Sequence, residues 1–258
     1  MKVKGVFFDL YGTLLQYGDM SSAWTEWLSA IHATLDDCGF QVSRESLAEA
    51  WDGFFSRPEP PPDGDLTIFE RRIRTACSDL GLDIGELEAR KVATAGASSW
   101  HKHVTIDPEA IEALKSLSVK TLAIVSNYDH PPGVYSMLDR HGLREFFDSI
   151  VISGEVGVKK PDPRIFSFAL DKAGLSPAEV AYVGDTQEDM QAALAAGLIP
   201  ILIRREEVPL DFHARKQYQL SQVCADDVVT ISRLGDLGRL LEAAECRNII
   251  PDSKGLIQ

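Results

Sequence analysis

Positive charge is scarce in this sequence. Lysine and arginine together number 26 against 39 aspartates and glutamates, a formal net charge of −13. Nucleic acid and anionic membrane surfaces attract proteins through basic patches, so neither is an expected partner. A small phosphorylated molecule remains open as a substrate, because it needs only local positive charge. No apolar run approaches the length that spans a bilayer. The four cysteines, Cys38, Cys77, Cys224 and Cys246, form no CxxC pair and read as free thiols of a cytosolic protein. Met1-Lys2-Val3-Lys4 runs straight into a strand candidate and leaves no room for a signal peptide. The expected location is therefore the cytoplasm. Internal repeats and low-complexity tails are absent as well.

What is present is an ordinary globular balance, 45% hydrophobic and 25% charged over 258 residues. That length suits one domain carrying an inserted subdomain. Short apolar runs at 3–8, 120–125, 149–153, 180–183, 199–203 and 227–231 read as buried strands. Helical patterns separate the later ones, at about 107–118, 132–141, 162–173, 187–196 and 232–245. Gly142, Gly174 and Gly197 stand where helices should stop, and Pro108, Pro131, Pro161 and Pro177 where they should start. Strand-helix alternation of this spacing implies right-handed βαβ units and a parallel sheet.

Residues 16–103 break the alternation. Trp24, Trp27, Leu28, Ile31 and Leu35 repeat at helical spacing, as do Leu47, Trp51, Phe54 and Phe55, then Ile68, Phe69, Ile73 and Ala76. The expected architecture is α/β: a Rossmann-like parallel-sheet core from residues 1–15 and 104–258, with an inserted all-helical subdomain at 16–103. Residues 205–222 and 247–258 read as irregular.

Aspartate follows an apolar run twice. Val6-Phe7-Phe8 leads into Asp9-Leu10-Tyr11-Gly12-Thr13, and Val180-Ala181-Tyr182-Val183 leads into Gly184-Asp185, with Asp189 four residues on. Ligands of open α/β sheets bind at the carboxyl ends of strands, so Asp9, Asp185 and Asp189 are expected in one crevice. Three carboxylates that close repel one another and require a cation, a proton or a basic side chain. Lys160, in Lys159-Lys160-Pro161-Asp162-Pro163, is the candidate base, and Ser126-Asn127 closes another apolar run.

The order Asp9, Ser126-Asn127, Lys160, Gly184-Asp185 with Asp189 resembles the haloacid-dehalogenase-like (HAD) superfamily of hydrolases, subfamily I, whose helical cap lies between the first and second motifs. The match covers residues 1–15 and roughly 104–204 by motif, and the segment between by position. The resemblance implies that Asp9 is the nucleophile of an aspartyl intermediate and that Lys160 neutralises it. It implies that Thr13, Ser126 and Asn127 serve the substrate or its loop. Mg²⁺ would be held by Asp9, the backbone carbonyl of Tyr11 and Asp185, with Asp189 behind them. The residues 16–103 would be the cap, a small helical bundle over the active site.

One position departs from the phosphatase pattern. Family phosphatases usually carry a second aspartate, the general acid, where this chain has Tyr11. The 2-haloacid dehalogenases of the same superfamily carry tyrosine there, need no metal, and usually lack the Gly-Asp of the fourth motif. The acidic excess decides the weighting: a dianionic phosphate enters a site of three carboxylates and one lysine only with a cation. The expected activity is thus a Mg²⁺-dependent phosphatase of small phosphomonoesters. The alternatives are a metal-independent 2-haloacid dehalogenase or a weakly active protein with a binding role. In the insert, Arg71, Arg72, Arg74, His101 and His103 are all candidate substrate contacts, with most of them expected to be solvated as a charge run on a helix usually is.

Overall fold

In the computed structural model, which describes residues 3–119, 121–205 and 228–247, the apolar run before Asp9 is strand β1 (Gly5–Phe8), buried at every position. The other strands are β2 (Leu15–Tyr17), β3 (Val104–Ile106), β4 (Thr121–Ser126), β5 (Ser149–Ile152), β6 (Val180–Gly184), β7 (Ile199–Ile203) and β8 (Val229–Ile231). The α-helices are α1 (Met20–Asp37), α2 (Arg44–Ala50), α3 (Ile68–Asp79), α4 (Glu86–Trp100), α5 (Ala110–Ser116), α6 (Pro131–Arg140), α7 (Ser153–Val156), α8 (Ser167–Ala173), α9 (Gln187–Ala196) and α10 (Leu237–Arg247). Expected strand residues Lys120 and Asp227 lie outside the described residues, as do 206–222, Cys224 and 248–258.

Two compact units emerge. The first gathers residues up to Gln16, Ile106–Asn127 and the chain from Asp139 onward, and the second takes Tyr17–Thr105 with Tyr128–Leu138. In the first unit, six strands among the described residues run in the order β5-β4-β1-β6-β7-β8, and every pairing is parallel. The fold is thus the expected α/β, Rossmann-like one. Strands buried on both faces carry unbroken apolar runs because neither face meets water. Phe7, Val125, Phe166 and Tyr182 meet in one core cluster. From β1 the chain goes to β4 and β5 on one side, then returns to β6, β7 and β8 on the other. This reversal makes the carboxyl end of β1 the topological switch point. Helix stops follow the glycines: Gly174 and Gly197 cap α8 and α9 in the left-handed conformation.

The second unit is helical. Trp27, Trp51, Phe54, Phe69 and Ile73 form its core, with Trp27 ring centroids 5.4 Å from both Trp51 and Phe54. Helix α3 starts on a full capping box, Thr67 with Glu70. That same corner explains why residues 128–138 join this unit, although they follow a core strand in sequence. Asp129 accepts from Arg72 Nε at 2.9 Å, its carbonyl accepts the Phe69 N–H at 3.1 Å, and His130 Nδ1 lies 3.2 Å from the Thr67 hydroxyl. No strand was expected near the ends of the insert, yet β2 and β3 pair there as a separate two-stranded sheet. Strands of three residues carry too little alternation to be read. No described helix is long and apolar enough to cross a membrane.

Candidate functional site

The end of β1 is pinned before any side chain acts. Asp9 N–H donates to the Val183 carbonyl at 2.8 Å, so Asp9 leaves the sheet beside the end of β6. The strands on either side, β4 and β6, end at Ser126 and Gly184, which delivers Asp9, Ser126 and Asp185 to one edge. Asp9, Asp185 and Asp189 are all buried, and each offers a carboxylate oxygen within 4.8 Å of the others.

Lys160 is the counter-charge. Its Nζ lies 2.7 Å from Asp9 Oδ1, 2.6 Å from Asp189 Oδ1, 2.8 Å from the Tyr182 hydroxyl and 3.1 Å from the Val125 carbonyl. The Tyr182 hydroxyl is in turn 3.0 Å from Val125 O and 2.9 Å from Asp189 Oδ1. One assignment uses every donor: the ammonium donates to Asp9, Asp189 and Tyr182, and the tyrosine donates to Val125. Lys160 is only 4% exposed, so an unpaired ammonium there would be costly. Its backbone is held by Asn127, whose Oδ1 accepts the Lys160 N–H and whose Nδ2 donates to the Lys160 carbonyl, both at 2.9 Å. Asn127 therefore shapes the lysine loop through both ends of its amide. Ser126 is buried at the end of β4.

Asp189 is engaged through both oxygens. Oδ1 faces Lys160 and Tyr182, and Oδ2 accepts from Thr186 Oγ1 at 2.7 Å, Thr186 N at 2.9 Å and Asp185 N at 3.2 Å. The capping box of α9, Thr186 with Asp189, is what aims it. Asp185 instead accepts the Thr13 hydroxyl at 3.2 Å. Gly12 lies at φ +91°, and a Cβ there would collide with the Asp185 carboxylate. Only glycine combines that backbone angle with that closeness. Tyr11 is nearly buried, 7% exposed, and its backbone forms a parallel bridge to Leu15.

Burial sets the protonation pattern. It pushes Asp9 up to about 6, against the opposing pull of Lys160 and with help from the Asp189 charge. Burial pushes Asp189 the same way, but Lys160 and the Thr186 donors outweigh it and hold this carboxyl below its ordinary value. For Lys160, burial disfavours the charge, while Asp189 and Asp9 more than reverse that and hold its pKa above the ordinary value. Burial, reinforced by Asp189 and Asp9, raises Tyr182 well above the usual phenol value, so its hydroxyl stays a donor. Three carboxylates and one ammonium leave a formal charge of −2. All the side-chain donors to a metal are oxygens, which suits a hard divalent cation such as Mg²⁺.

The charged residues of the helical unit serve its own packing. Arg72, expected to be solvated, is 8% exposed. It is drawn in because Asp129 and the carbonyls of Arg57 and Pro58 satisfy its donors. Arg71 pairs with Glu59 and Arg74 with Asp63. His103 Nε2 lies 3.2 Å from Glu26, and His101 Nε2 lies 3.1 Å from the Tyr128 hydroxyl.

Tyr182, Thr186 and Arg205 were missed in the sequence. The signal for Tyr182 was a hydroxyl inside an otherwise apolar buried strand, which must find a partner. Thr186 followed by Asp189 is a readable capping pattern. Arg205 carried no local signal.

A parallel sheet that gathers buried carboxylates and one lysine at its switch point defines a class, the α/β proteins with a candidate ligand site at the carboxyl ends of their strands. The family model for haloacid dehalogenase-like hydrolases matches residues 3–197, and the chain belongs to that family. A phosphoserine phosphatase of Thermus thermophilus is 45% identical over 192 residues, covering 72% of this chain and 70% of that one. An (S)-2-haloacid dehalogenase of Pseudomonas sp. (strain CBS-3) is 26% identical over 230 residues, covering 86% and 93%. Among solved structures, a 2-haloacid dehalogenase from Pseudomonas syringae pv. Tomato DC3000 shares the fold with a TM-score of 0.63 at 22% identity, covering 93% of this chain and 99% of that one. The match spans only 31% to 37% of the length of the first curated relatives.

Proposed function

We propose that this hydrolase is a Mg²⁺-dependent phosphatase of small phosphomonoesters that acts through an aspartyl-phosphate on Asp9. The observation that carries the reading is the surplus of buried carboxylate: Asp9, Asp185 and Asp189 against the single Lys160. A dianionic phosphate meets net repulsion there unless a cation is bound. Asp9 and Asp185, with the Tyr11 carbonyl, would hold the ion, since the Asp189 oxygens are already engaged. A bound Mg²⁺ supplies charge neutralisation and orients a phosphoryl oxygen. The acidic fourth motif and the phosphoserine phosphatase relative favour this reading.

The chain's own residues do the rest. The Asp9 carboxylate is the nucleophile, and Lys160 keeps it ionised and fixed in one rotamer through the 2.7 Å bond. Attack on phosphorus forms the Asp9–phosphate bond and breaks the P–O ester bond, and the leaving oxygen departs as an anion that takes its proton from water. Water then hydrolyses the acyl phosphate and regenerates Asp9. Thr13 fixes Asp185, Asp189 and Tyr182 fix Lys160, and Ser126 would bind a phosphoryl oxygen. No carboxylic acid stands at the Tyr11 position to protonate the leaving group, so good leaving groups should be favoured.

A second reading, 2-haloacid hydrolysis, has Tyr11 and the Pseudomonas relative in its favour. One screen separates the two: phosphate release from a panel of phosphomonoesters, and chloride release from 2-chloropropionate, each with Mg²⁺ and with EDTA. The expected result is Mg²⁺-dependent phosphate release and no chloride. Chloride release that persists in EDTA, without phosphate release, overturns the phosphatase reading.

A further inference from the structure

Arg205 lies two residues past the end of β7 and outside every motif. Its guanidinium works as a fork. Nη1 donates to the Gly12 carbonyl, Nη2 donates to the Thr13 carbonyl and to Asp107 Oδ2, both at 2.7 Å, and Nε reaches the same Asp107 oxygen at 3.2 Å. Asp107 is 4% exposed. Its Oδ1 accepts the Glu109 N–H at 2.8 Å, and Gln16 Nε2 donates to its Oδ2. The anchor is thus buried and satisfied, and the fork faces two successive carbonyls of the turn that follows Asp9.

That turn is closed on itself at its base, where Leu14 N and Leu15 N donate to Leu10 O at 2.9 and 2.8 Å. At its tip the Gly12 N–H donates to Leu15 O at 2.6 Å, while the Gly12 and Thr13 carbonyls face outward and accept from Arg205. A trans peptide points its N–H away from its C=O. Fixing the Gly12 carbonyl towards Arg205 therefore turns the Thr13 N–H the other way, while the Thr13 hydroxyl reaches Asp185. Gly12 packs so tightly on Asp185 that not even a Cβ would fit. A shift of the tip is passed on to Asp185 directly and to Asp9 through Leu10 and Tyr11.

The competing use of Arg205 is ligand binding, since a cavity of about 530 Å³ is bordered by Asp107, Glu109, Arg205 and Arg233. Among the described residues its charges pair off, Arg205 with Asp107 and Arg233 with Glu109, which leaves them no net charge to attract a charged ligand. The donors of Arg205 point instead into the turn.

We propose that Arg205, anchored by Asp107, is a positioning residue that holds the Gly12–Thr13 turn and thereby keeps Asp9 and Asp185 converged. The kinetic part of this proposal rests on the phosphatase reading, and the structural part does not. Arg205→Lys keeps a positive charge opposite Asp107, but an ammonium cannot bridge two carbonyls and a carboxylate as a planar fork does. Arg205→Ala removes the clamp altogether.

The test is amide hydrogen exchange over residues 10–15, together with kcat, KM and the Mg²⁺ concentration for half-maximal rate. Exchange should accelerate by on the order of tenfold in both variants, as a locally released segment does. With wild-type turnover established, kcat should fall about 10- to 100-fold, the usual cost of losing an outer support of a metal-site ligand. KM for substrate should move less than about threefold, because the loss is in the arranged geometry and not in uniform binding. Arg233→Ala, whose partner is Glu109, should match wild type throughout. Wild-type exchange at residues 10–15 in the Arg205 variants overturns the proposal, and so does faster exchange with wild-type kcat. If Arg205→Ala does not fold, Arg205→Lys decides alone. If the wild-type protein releases no phosphate, the phosphatase reading has failed, and exchange alone decides whether Arg205 holds the turn.

Discussion

Both units have an apolar core, but they differ in how they bury charge. The helical unit closes over Trp27, Trp51, Phe54 and Phe69, and most of its ion pairs have an exposed member. The sheet unit buries Asp9, Lys160, Asp185 and Asp189 at its edge beside an apolar core. Apolar burial stabilises in proportion to area and needs no partner. Buried charge stabilises only where every group is matched, and a surplus is costly. The helical unit is therefore built for stability, and the sheet edge keeps an unbalanced cluster that packing alone would not select. Such a cluster marks a candidate functional site.

Substitutions can break that contrast. The largest effect is expected for Asp9→Asn, which keeps shape and hydrogen bonding but removes the nucleophilic anion. Turnover should fall by more than about 10³-fold. Stability in urea should stay level or rise, since one carboxylate leaves a crowded acidic cluster. Retained turnover in protein free of deamidation would end the aspartyl mechanism.

Next comes a matched pair of stability measurements. Trp27→Ala in the helical unit should cost about 3–5 kcal/mol through lost burial and the cavity left behind. Lys160→Met in the sheet unit should cost a similar ~3–5 kcal/mol, for the different reason that Asp9 and Asp189 lose their counter-ion. Acidification separates the two. Lowering the pH should recover part of the Lys160→Met loss, because protonated carboxyls no longer repel, and none of the Trp27→Ala loss. Equal pH profiles for the two variants would count against the contrast.

Tyr182→Phe should be milder. It removes a hydroxyl that links Lys160 to Val125 and Asp189. Loss of a hydrogen bond to a charged group is worth about 1.5–3 kcal/mol. Chemical denaturation reads this directly, and no change would mean that water or Lys160 itself fills the gap.

The smallest expected effect is a pH dependence that opposes the usual one. Asp9 has its pKa raised to about 6 from an ordinary 3.8. The folded protein then holds a proton that the unfolded chain releases. The Asp9 contribution is fully present below pH 3.8, declines as the pH rises, and is lost above about 6. Asp189, held below its ordinary value, acts in the other direction at lower pH. The difference between wild type and Asp9→Asn in metal-free thermal melts isolates the Asp9 part. Stability of wild type relative to the variant should drop between pH 4 and 6, and Mg²⁺ should suppress that drop by binding the ionised form. A flat difference would mean Asp9 is already ionised in the metal-free protein.

Much of this molecule could be read in one dimension. Strand β1 announced itself because a strand buried on both faces must be continuously apolar. Asp9, Lys160, Asp185 and Asp189 could be read because sheet topology sends strand ends to one edge and each motif is local. The helices of residues 16–103 followed from apolar periodicity. None of this required knowing which side chains meet. Tertiary structure alone decided the rest. Tyr182 reaches Lys160 across 22 residues and Arg205 reaches the Gly12 carbonyl across 193, and no local pattern encodes such a pairing. Residues 128–138 follow a sheet strand yet belong with the helices, because Asp129 and His130 find their partners on α3. Arg72 looked like surface charge and is buried, because acceptors from two separate segments converge on it. Periodicity and motif spacing are properties of the chain, whereas the partner of a buried polar group is a property of the folded surroundings.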